Sequence, residues 1–60
     1  MRDPARMKRI LGKLGKFWES VPDWRLGQLY VNVASTDRAF YVEDDTFEAL
    51  LDGWLKEVSG

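Results

Sequence analysis

Apolar residues recur at intervals of three and four in three stretches of the chain, which is the period of a helix with one buried stripe. The first stretch contains the apolar residues Met7, Ile10, Leu11, Leu14, Phe17, Trp18 and Val21. The second contains Leu26, Leu29, Tyr30 and Val33. The third contains Phe47, Leu50, Leu51, Trp54, Leu55 and Val58. The pattern predicts three helices, over about residues 4–20, 24–34 and 45–58.

Polar residues at the expected helix starts can cap free backbone amides. Asp3 stands immediately before a proline, which suits a first helical position because it has no amide to satisfy. Ser20 and Asp23 can each cap the second helix. Asp45 and Glu48 have the spacing of a capping box before the third helix, and acids there suit the positive end of its dipole.

The segment between the second and third helices is predicted to be extended over residues 39–43, with Phe40 and Val42 on one side. A strand over residues 29–33 is a weaker alternative to the second helix, because the run is short and contains only two β-branched residues. The predicted fold is therefore all-α: a single domain, residues 1–60, of three helices with a short extended segment before the last.

The size of the chain predicts self-association. A domain of 60 residues buries only about 60% of the surface that its unfolded chain exposes, which leaves stability marginal. The sequence contains no cysteine and no histidine, so neither a disulfide nor a zinc site is expected to reinforce the core. We therefore predict a homodimer.

The second helix is apolar on two sides, and its second side is the expected dimer interface because tryptophan is enriched at binding hot spots. A glycine in a helix costs about 1 kcal/mol relative to alanine, which a closely approaching backbone can account for. The predicted interface accordingly comprises Trp24, Gly27, Val31, Ala34, Gly12 and Gly15. The alternative is burial of the second side within the chain, under the segment 35–44, in which Phe40 and Tyr41 can cover Trp24 or Val31.

Charge is divided unevenly along the chain. Six of the nine basic residues lie in the first sixteen positions with a single acid, and the remainder carries nine acids against three bases. Four of the basic residues form one stripe of the first helix: Arg6, Arg9, Lys13 and Lys16. This stripe is predicted to bind a partner, which can be an acidic protein, nucleic acid or an anionic membrane. The alternatives are a solvated face and a face that complements the acidic part of the fold.

Catalytic and metal chemistry are not expected. Without histidine or cysteine, acid–base or nucleophilic catalysis lacks a recognisable motif, so we predict no enzyme and no cofactor. The run 43–45 is acidic, but three consecutive acids seldom converge on a cation, so helix capping is favoured over a metal site. Gly12 and Gly15 match the G-x-x-G of KH domains, yet they lie inside a helical pattern that such a nucleic-acid clamp does not have.

The segment from Trp18 to Leu29 contains the sequence P-D-x-R-L-G-Q-L, and residues 40–45 read F-Y-x-E-D-D. Together with Arg9-Ile10 these motifs resemble small uncharacterised bacterial and phage proteins. The resemblance implies a short, mostly helical protein, and it carries no functional residues over to this chain. By analogy with other tiny phage proteins, it favours stoichiometric action on a host protein.

The function expected from these features is binding. The leading hypothesis is a non-enzymatic protein-interaction module, a phage or bacterial regulator or inhibitor that masks a larger protein. The alternative is attachment to nucleic acid or an anionic membrane through the basic stripe. A cytoplasmic location is expected, because no run approaches about eighteen apolar residues and the basic start lacks the features of a signal peptide.

Overall fold

A computed structural model of the chain describes residues 3–59 and confirms the predicted all-α fold of three helices. The helices are α1 (Ala5–Ser20), α2 (Leu26–Ala34) and α3 (Asp44–Ser59). A single 3-10 turn, Ala39–Tyr41, lies between α2 and α3. No strand forms among the described residues, and none of their helices has both the length and the apolar character needed to cross a membrane.

The start of α1 agrees with the predicted cap, whereas α2 starts two residues later than expected. The Asp3 carboxylate accepts a hydrogen bond from the backbone amide two residues further along, at 2.9 Å. At α2, Arg25 is extended (φ −77°, ψ 152°), and its amide donates to Oε1 of Gln28 at 3.0 Å. The side chain that caps this helix is therefore Gln28, and the prediction of Ser20 or Asp23 is wrong.

The start of α3 carries the predicted acids, but the predicted capping box is wrong. Asp44 and Asp45 occupy the first turn, where carboxylates interact favourably with the helix dipole. The Asp45 carboxylate accepts the amide hydrogen of Thr46 at 2.8 Å. Glu48 turns away from this helix start and bonds to side chains of α1, because two cations there offer stronger hydrogen bonds than a single backbone amide.

The segment predicted to be extended over residues 39–43 is not extended over its first three residues, although Val42 is extended (φ −73°, ψ 127°). The preceding three residues form the 3-10 turn, in which residues three apart point the same way. Ala39 and Val42 consequently pack on the core, and Phe40 and Tyr41 point outward. The predicted grouping of Phe40 with Val42 is wrong because it assumed a period of two.

α3 is the central helix, because it packs against both α1 and α2, whereas α1 and α2 share few contacts. α1 and α3 run parallel, since Arg6 pairs with Asp44 and Lys13 pairs with Asp52 further along both helices. Parallel helices place their positive dipole ends side by side. The acids in the first turn of α3 and Asp3 before α1 offset that repulsion.

The core lies where the three helices meet, and five of its seven buried side chains belong to the predicted apolar stripes, Ala34 and Ala39 being the exceptions. These buried residues are Phe17, Leu29, Val33, Ala34, Ala39, Phe47 and Leu51. The Phe17 ring packs on Trp24 and Trp54, with ring centroids 6.0 and 5.6 Å away. The edges of the stripes remain about half exposed or more, at Met7, Leu11, Leu26 and Val58.

Candidate interaction surfaces

The predicted interface on α2 does not form one surface. Trp24 and Ala34 belong to the core of the same chain, while Gly27 and Val31 are exposed. Trp24 precedes the first residue of α2, so its direction is not set by the periodicity of that helix. The alternative is confirmed in part: the 3-10 turn packs on α2, and Trp24 and Ala34 are in the core of the same chain, but Phe40 and Tyr41 are exposed and do not form the cover.

The two glycines of α1 are not explained by a neighbouring helix of the same chain. A methyl group placed on Gly12 or Gly15 meets no other element of the described chain within 4 Å. The close helix contact predicted at these positions is therefore absent within the chain. Both glycines leave open space above the helix surface.

A cluster of charged side chains joins α1 to α3 along the predicted basic stripe. Arg9 forms two hydrogen bonds with the Glu48 carboxylate, at 2.6 Å from Nε and 2.9 Å from Nη2. Lys13 Nζ lies 2.7 Å from the same carboxylate and 2.8 Å from Oδ1 of Asp52. Glu48 is therefore shared by two cations, and Lys13 by two carboxylates.

A third member of the stripe is also paired within the chain, because Arg6 Nε lies 2.7 Å from Oδ2 of Asp44. Three of the four stripe residues thus face the acids of α3. The stripe was predicted to bind a partner, and the structure instead shows these three residues complementing the acidic part of the fold. Of the four stripe residues, Lys16 is the one that forms no ion pair with another described residue, and it is exposed.

The charged cluster shifts the pKa values of its members. Hydrogen bonds from Arg9 and then Lys13 lower the pKa of the Glu48 carboxyl from 4.5 to about 2. Hydrogen bonds to Asp52 and then Glu48 raise the pKa of the Lys13 ammonium. The shifts favour the ionised form of both groups, so Glu48 and Lys13 are charged throughout the physiological range.

Phe40 and Tyr41 form the most exposed apolar feature of the described residues. Their side chains are 88% and 76% exposed, and their rings contact each other edge to face with centroids 5.1 Å apart. We call this pair the aromatic tip. The apolar pattern does not predict this site, although the turn-forming residues at 35–38 indicate that the chain changes direction there.

An open cleft of about 300 Å³ lies at the amino-terminal ends of α1 and α3. Its lining residues are Asp3, Arg6, Arg9, Glu43, Asp44 and Asp45. No group of three or more potential metal ligands converges there or elsewhere in residues 3–59. The cleft combines carboxylates with guanidinium groups that already pair with acids, so its contacts serve the helix starts.

No protein-family model matches the sequence, and no curated protein or solved structure matches it. The resemblance to small bacterial and phage proteins therefore stays a prediction. The exposed surfaces and the charges of the chain itself are the features that bear on its function.

Proposed function

We propose that the chain is a non-enzymatic protein-binding module and that the aromatic tip is its binding element. The observation that carries this proposal is the exposure of two large aromatic side chains, at 88% and 76%, next to each other on one turn. Burying a phenylalanine or tyrosine removes about 150–250 Å² from water, and aromatic residues dominate the energetics of interfaces. A partner that covers both rings therefore gains a central part of a binding hot spot.

The turn that carries the tip is anchored in the core. Ala39 is 5% exposed, and its carbonyl accepts a hydrogen bond from the Tyr30 hydroxyl at 2.5 Å. The Tyr30 ring in turn packs on Phe47, with centroids 4.9 Å apart. These contacts fix the backbone beneath the tip before a partner arrives. Binding then orders few new groups, which lowers its entropic cost.

The charges around the tip favour a protein over a phosphate-bearing partner. Residues 37–45 contain four acids and one base, so the local field repels nucleic acid and anionic lipid. The cations that supported the alternative function, Arg6, Arg9 and Lys13, are engaged by carboxylates of α3. We propose a target with an apolar cavity for the rings, and stoichiometric action in which this small chain masks a surface of a larger protein.

A capture experiment with matched variants tests this function. Wild type, Phe40→Ser/Tyr41→Ser and the control Val31→Ser/Val58→Ser are immobilised equally and exposed to a bacterial lysate, and captured proteins are quantified. The control removes two side chains that are 44% and 47% exposed on other faces. Loss of two hot-spot rings should weaken capture of the target by about thirtyfold or more, while the control retains it.

Circular dichroism of all three proteins checks that they remain folded, since surface substitutions of this kind change stability by about 0.5 kcal/mol. A lysate from which the wild type captures nothing contradicts the proposal. So does a set of captured proteins that the tip variant and the control retain equally.

A further inference from the structure

α1 carries a second row of apolar residues beside the one that packs on α3. The row is Met7, Leu11, Leu14 and Trp18, spaced by four, three and four residues as in a coiled-coil seam. Met7 and Leu11 are 53% and 64% exposed, whereas Leu14 and Trp18 are half-buried at the edge of the core. The row is open because α1 packs mainly on α3 and shares few contacts with α2.

The molecule as a whole exposes more surface than a compact monomer of its mass. A monomer of 7.0 kDa is expected to expose about 4,000 Å². This chain exposes 4722 Å², so the excess is about 700 Å². One partner of a standard protein interface buries about 800 Å². The excess belongs to the surface as a whole, and the exposed residues Met7 and Leu11 of the row contribute part of it.

We propose that a second copy of this chain covers the row, with the two α1 helices packed antiparallel about a two-fold axis between Gly12 and Lys13. In this register Met7 faces Trp18 of the second copy, and Leu11 faces Leu14 of the second copy. The contact is isologous, so every pairing occurs twice. It uses a different face from the aromatic tip and does not depend on the function proposed for that tip.

The shape of α1 is self-complementary in this register. A shallow depression of about 260 Å³ is lined by Gly15, Trp18, Glu19 and Pro22. Gly15 has no side chain, and no neighbouring element of the described chain comes within 4 Å of where one would start. Met7 of the second copy lies opposite this depression. Its thioether can pack against the Trp18 indole, a favourable contact between sulfur and an aromatic ring.

Charge selects the antiparallel orientation. Lys8 and Glu19 lie on the same flank of the row, one near each end of α1, and both are exposed. Neither forms an ion pair with another described residue of its own chain. An antiparallel pair keeps this flank of both helices on the same side of the interface and brings Lys8 close to Glu19 of the second copy, twice. A parallel pair related by a two-fold axis places the two flanks on opposite sides and makes neither contact.

Sedimentation equilibrium from about 5 to about 500 μM measures the association, which an interface near the lower size limit predicts in the micromolar range. Leu11→Glu should raise the dissociation constant at least about tenfold, because a charge then lies in the apolar seam. The control Val31→Glu, at a comparably exposed apolar position on α2, should associate like the wild type. A wild type that remains monomeric over this range overturns the proposal, as does equal dissociation by both variants.

Charge reversal tests the register. Lys8→Glu and Glu19→Lys should each weaken association, by about threefold to tenfold, because both symmetric contacts then join like charges. An equimolar mixture of the two variants should recover wild-type association, since each mixed contact again joins opposite charges. Failure of the mixture to recover, when both variants remain helical by circular dichroism, contradicts the antiparallel register.

Thiol cross-linking provides a second test of orientation, because the chain has no native cysteine. A short bifunctional thiol reagent should join Lys8→Cys to Glu19→Cys in a mixture, and should join two copies of Lys8→Cys poorly. The reverse result contradicts the antiparallel pair. The variant Phe40→Ser/Tyr41→Ser should remain dimeric, so a failure of the target-binding proposal is distinguishable from a failure of this one.

Discussion

The expected effect of a Trp24 substitution on stability depends strongly on whether this residue lies in a dimer interface or in the core of one chain. Its ring contacts Phe17 edge to face at 6.0 Å and Trp54 at 6.3 Å, with interplanar angles of 83° and 75°. Each such aromatic pair contributes about 0.5–1.5 kcal/mol beyond the area that it buries. Two pairs account for about 1–3 kcal/mol, and a tryptophan to alanine change in a core costs about 3–5 kcal/mol in total.

Because Trp24 is only half-buried, we expect Trp24→Ala to cost about 3 kcal/mol, at the low end of that range. A domain of 60 residues has a total stability of about 3–9 kcal/mol, so the loss removes between a third and all of it. The matched variant Val31→Ala changes a side chain that is 44% exposed and should cost about 0.5 kcal/mol or less.

Urea unfolding monitored by far-ultraviolet circular dichroism is the suitable assay, because the substitution removes a fluorescent side chain. The measurements are made at low protein concentration and repeated at a tenfold higher one. A core role predicts a destabilisation that does not change with protein concentration. An unchanged urea midpoint for Trp24→Ala, or a destabilisation that appears only at the higher concentration, would refute the assignment of Trp24 to the core.

Two further predictions concern α1 and α3. The pKa of Glu48 lies at about 2 in the folded chain and at its ordinary value of 4.5 in the unfolded one, so its stabilising contribution is present above about pH 4.5 and is lost as the pH falls toward 2. Urea midpoints measured from neutral pH downward should therefore fall in acid, and Glu48→Gln should reduce that fall; an identical pH profile for both proteins contradicts this role of Glu48. Gly12→Ala and Gly53→Ala should each stabilise by about 0.5–1 kcal/mol in thermal melts, because both positions are helical and open. A lower melting temperature for either variant shows that a close approach exists at that glycine.

The period of the apolar residues was sufficient to predict three helices and the centres of their buried stripes, because that period reflects one buried face per helix. It was insufficient at Phe40 and Tyr41. A stretch of five residues does not distinguish a period of two from a 3-10 period of three, and the two periods expose opposite side chains. The aromatic tip was therefore missed, although both of its residues were part of the predicted segment.

The pairing of the basic stripe with the acidic part of the fold was only an alternative in the sequence-based prediction, and the reason is different. Glu48 can take two roles, one in a capping box with Asp45 and one in an ion pair with another helix. Sequence spacing indicates only the capping box, because the ion pair depends on the tertiary arrangement. The acids at 44, 48 and 52 are spaced by one helical turn, which places them on a single face of α3. That face meets the stripe of α1 only because the two helices run parallel, and helix orientation is not encoded in either pattern alone.

Charge also explains why α1 leaves an apolar row uncovered. One apolar row of α1 faces the core and contains Ile10, Leu14 and Phe17. The other is the row of Met7, Leu11, Leu14 and Trp18. The two rows share Leu14, and their centres differ by a rotation of about 60° about the helix axis. Either row can supply apolar contacts to α3, so hydrophobicity does not decide between them. With the observed rotation, Arg9 and Lys13 reach Glu48, whose side chain is only 13% exposed.

Rotation of α1 to bury Met7 and Leu11 would move both cations away from Glu48 and break the charge-assisted hydrogen bonds that join them to it. The loss of these charge-assisted hydrogen bonds is not offset by a change of apolar contacts that is nearly even. The ionic contacts with α3 thus determine which row of α1 enters the core. The remaining row stays available for a second copy, so the interface proposed between two copies is a physical consequence of how charge is distributed within one.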